Sequence, residues 1–133
     1  MNAVDTNILV YACDSRHPAK QARARDVLSS VDRCVLLWQV VLEFVAVSRR
    51  LAETGFTPEA AWQQVASLRG MMPIIPPTQS VLERARPIHL NMRVSFWDAM
   101  IYAACLEAGV ARMYSEDLPG SAIPGLEIVN PFE

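Results

Sequence analysis

The sequence predicts an α/β fold in which helices cover both faces of a parallel sheet. Short segments rich in Val, Ile and Leu alternate with longer segments whose apolar residues recur at helical spacing. Strands that alternate with helices are joined by crossover connections, and such connections make a sheet parallel. Of the 133 residues, 52% are hydrophobic and 20% are charged, which is typical of a compact core and excludes a disordered chain. At this length we expect residues 1–133 to form a single domain.

Five short, mostly apolar segments are the predicted strands. Their composition suits strands that are buried on both faces of a sheet. We therefore expect a central sheet of about five strands. The segments are residues 3–4, 34–37, 73–75, 112–114 and 127–129.

Capping residues mark the boundaries of the predicted helices. Thr57 is a predicted N-cap with Pro58 at the first helical position, and Gly55 suits the end of the preceding helix. Pro87 lacks an amide hydrogen, so we expect it to kink or shorten the helix that starts at Thr78. The predicted helices cover residues 18–30, 38–53, 58–70, 95–109 and the segment from 78 onward.

The charge balance excludes a protein that attracts nucleic acid through a general cationic field. Twelve basic and fourteen acidic residues give a formal net charge of −2 at pH 7. A polyanionic substrate would therefore have to be held locally, by arginines or by metal ions. Arg16, Arg23 and Arg25 lie near the first acidic motif and are candidates for phosphate contact, although a solvated helix face explains them better.

The cysteines and the N-terminal segment bear on cellular location. The three cysteines form no CxxC pair, and with only two histidines they argue against a disulfide framework or a structural zinc site. The N-terminal segment has no basic region and carries acids within its apolar stretch, unlike a signal peptide. No apolar run approaches the roughly twenty residues that span a bilayer. We expect a cytoplasmic protein without membrane association.

Ten of the fourteen acids lie in polar segments or on exposed helix faces, and the other four lie beside or within apolar segments. Asp5 follows the first predicted strand, and Asp117 follows the strand at 112–114. Glu43 lies about 60° from the middle of the apolar stripe on its helix. Asp98 lies in a helix that is apolar on nearly every side, so we expect it to be buried. On a parallel sheet all four can converge at the carboxyl edge, where active sites form.

Each of these acids also has a purely structural explanation. These alternatives are an N-cap for a short helix starting at Thr6 (Asp5), a salt bridge to Arg49 or Arg50 (Glu43), a capping box with Ser95 (Asp98) and an Asx turn (Asp117). Convergence of all four would require cations, because carboxylates packed together repel one another. Mg²⁺ and Mn²⁺ prefer such oxygen ligands, and a site of this kind favours phosphoryl chemistry with water as the attacking group.

With these motifs, the sequence resembles the PIN-domain nucleases and, within them, the VapC-type toxins of prokaryotic toxin–antitoxin pairs. The resemblance spans nearly the whole chain, and four acids in the family's order are more specific than any one motif. The motifs are Asp5-Thr6-Asn7, Trp38-Gln39 leading to Glu43, Phe96-Trp97-Asp98-Ala99, Ser115-Glu116-Asp117-Leu118, and the closing Ile128-Val129-Asn130-Pro131-Phe132.

The resemblance implies a three-layer α/β/α fold and a metal-dependent endoribonuclease. It implies Asp5 and Asp98 as Mg²⁺ ligands, with Glu43 and Asp117 holding a second ion or orienting water. Thr6 and Ser115 correspond to hydroxyls that support the acids. Glu116 also lies beside the site, but the strand–Ser–x–Asp pattern favours Asp117 as the inward residue.

The resemblance also implies a homodimer and a small antitoxin that blocks the site. Our main hypothesis is a Mg²⁺-dependent ribonuclease toxin. The alternative is a catalytically silent module that binds RNA or a protein, although pure binding does not need four clustered acids. A phosphoacceptor or phosphatase domain fits less well, because it needs paired carboxylates after the first strand and a lysine near a later strand. The sequence has one carboxylate in Asp5-Thr6-Asn7, and Lys20, its only lysine, lies elsewhere.

Overall fold

The computed structural model describes residues 1–119 and 123–133 and has the predicted three-layer α/β/α architecture. Its strands lie within one residue of the predicted segments. They are β1 (Asn2–Val4), β2 (Cys34–Leu37), β3 (Ile74–Ile75), β4 (Arg112–Tyr114) and β5 (Glu127–Val129). In the described residues these strands form one parallel sheet in the order β3-β2-β1-β4-β5.

The sheet is buried where its neighbours cover both faces. Every residue of β2 is buried, which explains why this strand is continuously apolar and does not alternate with polar residues. In the central strand β1, Ala3 pairs with Val35 on one side and with Met113 on the other.

The helices follow the predicted capping signals closely. Thr57, Thr78 and Ser95 each accept a hydrogen bond from a backbone N–H three residues later. None of the helices in the described part of the chain is long and apolar enough to cross a bilayer. They are α1 (Thr6–Ala12), α2 (Pro18–Ser30), α3 (Trp38–Val47), α4 (Pro58–Met71), α5 (Gln79–Asn91) and α6 (Phe96–Ala108), with a 3₁₀ helix at Ser48–Thr54.

Three features differ from the predicted helices. The helix predicted at 38–53 is α-helical only to Val47 and continues as the 3₁₀ helix. The segment after Asp5 forms α1, which was predicted only as an alternative explanation of that acid. Of the two effects expected of Pro87, a kink or a shorter helix, the shorter helix was wrong, because α5 continues to Asn91. Pro87 is exposed, so water can satisfy the backbone carbonyl that loses its partner.

The strand order opens a crevice beside the end of β1. Strands β2 and β3 lie on one side of β1, and strands β4 and β5 lie on the other side. The N–H of Asp5 donates to the carbonyl of Tyr114 over 2.9 Å, so the ends of these two strands are adjacent. Crossovers that leave in opposite directions make this point the expected place for a ligand site.

Candidate functional site

The structure brings the four predicted acids to one cavity at the carboxyl edge of the sheet. The cavity has a volume of about 460 Å³ and opens to solvent. Asp5 follows β1, Glu43 comes from α3, Asp98 from the first turn of α6, and Asp117 from the loop after β4. We call these four side chains the acidic cluster. Other residues that line the cavity include Thr6, Asn7, Tyr11, Val47, Arg50 and Ile101.

Asp5 is the most buried member of the acidic cluster, with 8% of its surface exposed. Its carboxylate accepts hydrogen bonds from the Ser115 hydroxyl (2.7 Å) and the Thr6 N–H (2.8 Å). Burial raises the pKa of Asp5; these two hydrogen bonds oppose the rise, and the charges of Glu43 and Asp117 add to it. Asp5 is therefore also the N-cap of α1, as the structural alternative predicted.

Glu43 is oriented by two neutral side chains. The Thr6 hydroxyl donates to one carboxylate oxygen over 2.9 Å, and the Gln39 amide donates to the other over 2.9 Å. The same Gln39 amide donates to the carbonyl of Trp97 over 3.2 Å and so connects α3 to the start of α6. The salt bridge to Arg49 or Arg50 that could have explained Glu43 does not form among the described residues.

Asp98 lies at the third position of α6, where its backbone N–H donates to the Ser95 hydroxyl over 3.1 Å. Its carboxylate makes no return bond to Ser95 in the described structure, so only half of the capping box forms. The expectation that Asp98 is buried was wrong in degree. It is half-buried, because the first turn of α6 faces the open cavity and not the core.

Asp117 is exposed and reaches the cavity through the loop after β4. The amide of Asn7 lies 3.4 Å from carboxylate oxygens of both Asp117 and Asp5 and donates toward them. The buried Ser115 hydroxyl accepts the N–H groups of Asp117 (3.2 Å) and Leu118 (3.1 Å). Glu116 does not line the cavity; it faces α2.

The acidic cluster has no basic partner in the part of the chain that the structure describes. In residues 1–119 and 123–133, no lysine, arginine or histidine lies within salt-bridge distance of any of its four carboxylates. Its negative charge also affects the pKa values of two neighbouring core residues. Burial, together with the charges of Asp98 and Asp5, raises the pKa of Tyr102 to about 12, and burial with the charge of Asp5 raises that of Cys105 to about 12.

The three arginines predicted near the substrate have other partners. Arg16 binds the buried Asp14 through two guanidinium nitrogens (2.9 and 3.1 Å), and Arg25 donates to the carbonyl of Ala12 (2.9 Å). Arg23 contacts Asp26 and the carbonyl of Pro131.

The family resemblance implied Thr6 and Ser115 as supporting hydroxyls, and their hydroxyls donate to Glu43 and Asp5. Sequence reasoning missed Gln39, and it considered Arg50 only as a salt-bridge partner of Glu43. Gln39 could have been found, because it lies four residues before Glu43 on one helix face. Asn7 was recognised in a motif but given no role. Arg50 lines the cavity because the 3₁₀ helix continues α3 along its wall, which no local sequence signal reveals.

The comparisons with known proteins bear on the family and the fold. A family model described as PIN domain matches residues 3–118. Among curated proteins no match was found. A toxin-antitoxin complex from Klebsiella pneumoniae is similar with a TM-score of 0.75 and 18% identity, covering 100% of this chain and 99% of that one. Mycobacterium tuberculosis VapC20, a sarcin-ricin loop cleaving toxin, is similar with a TM-score of 0.67 and 20% identity, covering 88% and 90%. At these identities the two structures share the fold, and the family match over most of the sequence shows that the chain belongs to the PIN-domain family.

Proposed function

We propose that the chain is a Mg²⁺-dependent endoribonuclease and the toxin of a toxin–antitoxin pair. The observation that carries the proposal is a cavity lined by four carboxylates without basic partners in the described residues. Such a cavity would repel a phosphodiester unless cations enter with it. Membership of the PIN-domain family supports a nuclease.

The donor chemistry fits Mg²⁺, with Mn²⁺ as a substitute. Every member of the acidic cluster offers carboxylate oxygens, which these hard ions prefer. In the described residues no three His, Cys, Asp or Glu side chains are already grouped around one ion position, so the acids surround the cavity without a closed ligand set. A bound Mg²⁺ supplies charge neutralisation and Lewis-acid activation of water and of a phosphate oxygen.

We assign Asp5 and Asp98 as the main Mg²⁺ ligands. Hydrogen bonds from Ser115 and the Thr6 N–H orient the Asp5 carboxylate without placing a positive charge beside it. The Asp98 carboxylate accepts no hydrogen bond from the described residues, so a ligand meets no competing protein donor there. Glu43 and Asp117 remain for a second ion or for orienting the attacking water.

In the proposed reaction, water is added across one P–O bond of RNA. The water oxygen bonds to phosphorus, the bond to the leaving oxygen breaks, and that oxygen takes up a proton. Glu43 or Asp117 can accept the proton that the attacking water loses. Arg50 is the arginine at the cavity wall, and its guanidinium suits a phosphate of the bound strand. Arg16, Arg23 and Arg25 remain weaker candidates for phosphate contact, because their guanidinium groups already have partners.

The substrate class and the partners of the proposal are supported by the structural neighbours. One of them is a sarcin-ricin loop cleaving toxin and the other a toxin-antitoxin complex. We propose RNA as the substrate and an antitoxin and a second copy of the chain as partners. The exposed apolar side chains of Trp38, Leu42 and Trp97 line a second, separate cavity and are of the kind that protein partners cover.

The test is cleavage of a panel of structured RNAs by the purified protein in Mg²⁺, in Mn²⁺ and in EDTA. Glu43→Gln is run beside the wild type, with Glu53→Gln as the matched control because Glu53 is exposed on the 3₁₀ helix that continues α3. We expect cutting that requires a divalent ion, is lost in Glu43→Gln and persists in Glu53→Gln.

Two outcomes would overturn the proposal. Undiminished cutting by folded Glu43→Gln would show that the acidic cluster is structural or that the activity is a contaminant. Failure of the wild type to cut RNA and to bind Mg²⁺ would instead favour the catalytically silent binding module.

A further inference from the structure

Glu116 lies between Ser115 and Asp117 in the sequence, but its side chain points away from the cavity. Ser115 supports Asp5, and Asp117 lines the cavity, whereas the Glu116 side chain packs toward α1 and α2. One of its carboxylate oxygens accepts the Tyr11 hydroxyl over 2.6 Å, and the other accepts the ammonium group of Lys20. Lys20 is the only lysine of the chain.

Lys20 and Tyr11 are themselves held in place by several contacts. The Lys20 ammonium group also donates to the Tyr11 hydroxyl over 3.1 Å and lies 4.7 Å from the centre of the Tyr11 ring. Phe132 packs edge-on against Tyr11 at 5.0 Å, and its ring centre is 5.5 Å from the ammonium group. These contacts give Glu116 a fixed point of attachment on α1 and α2.

The backbone of the same loop is fixed from the cavity side. The N–H of Glu116 donates to the side-chain oxygen of Asn7 over 3.2 Å. The N–H of Asp117 donates to the Ser115 hydroxyl, and the Asn7 amide lies against the Asp117 carboxylate. The loop is therefore held by contacts on two sides. Glu116 bonds to Tyr11 and Lys20 on one side, and Asp117 contacts Asn7 on the other.

We propose that Lys20, Tyr11 and Glu116, which we call the Glu116 anchor, are positioning residues that hold Asp117 at the cavity. The inference rests on the proposed function of the acidic cluster and deepens it. Without the Lys20 contact, Glu116 keeps only the Tyr11 hydroxyl as a side-chain partner, and the loop loses its attachment to α2. Asp117 then leaves the orientation in which it contributes to metal binding.

The test uses Lys20→Met, which keeps most of the apolar stem, and Glu116→Gln, which keeps an acceptor for Tyr11. Lys20→Arg restores the positive charge. Glu127→Gln is the control, because it breaks an exposed ion pair with Arg112 on β4 at the end remote from the cavity. Thermal unfolding confirms that each variant is folded.

Three readouts separate positioning from stability. In Mg²⁺ titration by calorimetry, we expect Lys20→Met and Glu116→Gln to raise the Mg²⁺ dissociation constant about 10-fold, as loss of a residue that orients a ligand does. RNA cleavage should recover most of its rate at saturating Mg²⁺, Lys20→Arg should bind Mg²⁺ nearly as the wild type does, and Glu127→Gln should be unchanged. Hydrogen exchange at the N–H groups of Glu116, Asp117 and Leu118 should become faster in the first two variants.

The proposal is overturned if folded Lys20→Met and Glu116→Gln keep both the wild-type Mg²⁺ affinity and slow exchange in this loop. It is also overturned if Glu116→Gln alone weakens Mg²⁺ binding, because Glu116 would then be a ligand and not part of an anchor. If the wild type neither binds Mg²⁺ nor cuts RNA, the proposed function fails. The exchange measurement still decides whether the anchor holds the loop.

Discussion

Two groups of acids in the structure have opposite kinds of hydrogen-bond partner. In the acidic cluster, the hydrogen bonds to the carboxylates come from hydroxyls, amides and backbone N–H groups. Asp14, which follows α1, and Glu116, which precedes Asp117, each have a basic partner: Arg16 for Asp14 and Lys20 for Glu116. We call these two the paired acids.

The pKa directions follow this difference. Burial raises the pKa of Asp5, and its neutral donors do not offset the effect of burial. The Arg16 guanidinium holds the pKa of Asp14 below its usual value, although burial opposes it. Burial also favours the neutral form of Glu116, but the hydrogen bonds from Lys20 and Tyr11 outweigh it and lower its pKa. Neutral donors orient a carboxylate without neutralising it, so a cation can still bind there. In an ion pair the basic partner already balances the charge, and the interaction stabilises the fold.

The largest expected effect is the loss of activity in Asp98→Asn. We expect metal-dependent RNA cleavage to fall at least about 100-fold, more than for loss of a residue that merely orients a ligand. The midpoint of thermal unfolding in EDTA should be unchanged or higher, because the substitution removes a repelling charge and no hydrogen bond from the side chain. Single-turnover cleavage and thermal unfolding measure the two effects.

The matched control is Glu107→Gln at the other end of α6, where the carboxylate lies 3.6 Å from Arg84. It should cut RNA as the wild type does. Equal loss of activity in both variants would show that α6, and not the Asp98 charge, is sensitive to substitution.

Ser115→Ala should have the next largest effect, this time on stability. The Ser115 hydroxyl is 1% exposed; it donates to Asp5 and accepts from the Asp117 and Leu118 N–H groups. Its removal leaves several polar groups without their partner and should lower the free energy of unfolding by about 2 kcal/mol. Urea unfolding in EDTA checks this value. A loss below about 0.5 kcal/mol would mean that water replaces the hydroxyl.

Among the paired acids, Asp14→Asn should lower the free energy of unfolding by about 1 kcal/mol near neutral pH. This is a low value for a charged hydrogen bond, because Arg16 is 44% exposed. The hydrogen bond to Arg16 lowers the folded-state pKa of Asp14 below 3.8, so the stabilisation is present above 3.8 and is lost as the pH falls through the folded pKa. The difference between wild type and variant should therefore persist down to about pH 5 and disappear in stronger acid.

Urea unfolding at a series of pH values measures this loss. Asp26→Asn is its control, because Asp26 pairs with Arg23 but is 59% exposed, and it should change stability much less. A difference that grows as the pH falls would contradict the assigned role of Asp14.

The smallest expected effect is that of Asp117→Asn, and its sign should be opposite to that of Asp14→Asn. The Asp117 charge opposes ionisation of Asp5, so its removal should raise the free energy of unfolding in EDTA by a few tenths of a kcal/mol. In Mg²⁺ the wild type should become the more stable protein, because only it keeps the full set of acids. Thermal unfolding with and without Mg²⁺ tests both signs. A variant less stable than the wild type in EDTA would show that Asp117 has a structural role.

The acidic cluster could be predicted because each member has a local signal. Asp5 and Asp117 follow predicted strands, and Glu43 lies close to the apolar stripe of its helix, so their positions follow from strand ends and helix period. The parallel sheet then places the strand ends together, and its strand positions agree with the predicted segments to within one residue. The family resemblance agrees with the fold and with the match to the PIN-domain model.

The remaining features depend on contacts that no local pattern contains. Lys20 meets Glu116 across 96 residues, and Arg50 reaches the cavity because an α-helix tightens into a 3₁₀ helix. The half-exposed state of Asp98 depends on the opening of the cavity and not on the apolar composition of its helix. These features follow from how the elements pack, which composition and periodicity do not specify.

Calorimetric titration with Mg²⁺ of the wild type, Asp98→Asn and Asp14→Asn, each checked for folding, tests the central claim most directly. We expect the wild type and Asp14→Asn to bind Mg²⁺ with similar affinity, and Asp98→Asn to bind at least about 10-fold more weakly. This result would show that the unpaired carboxylates, and not acidity in general, hold the ion. Absence of binding by the wild type, or equal binding by all three proteins, would contradict the claim.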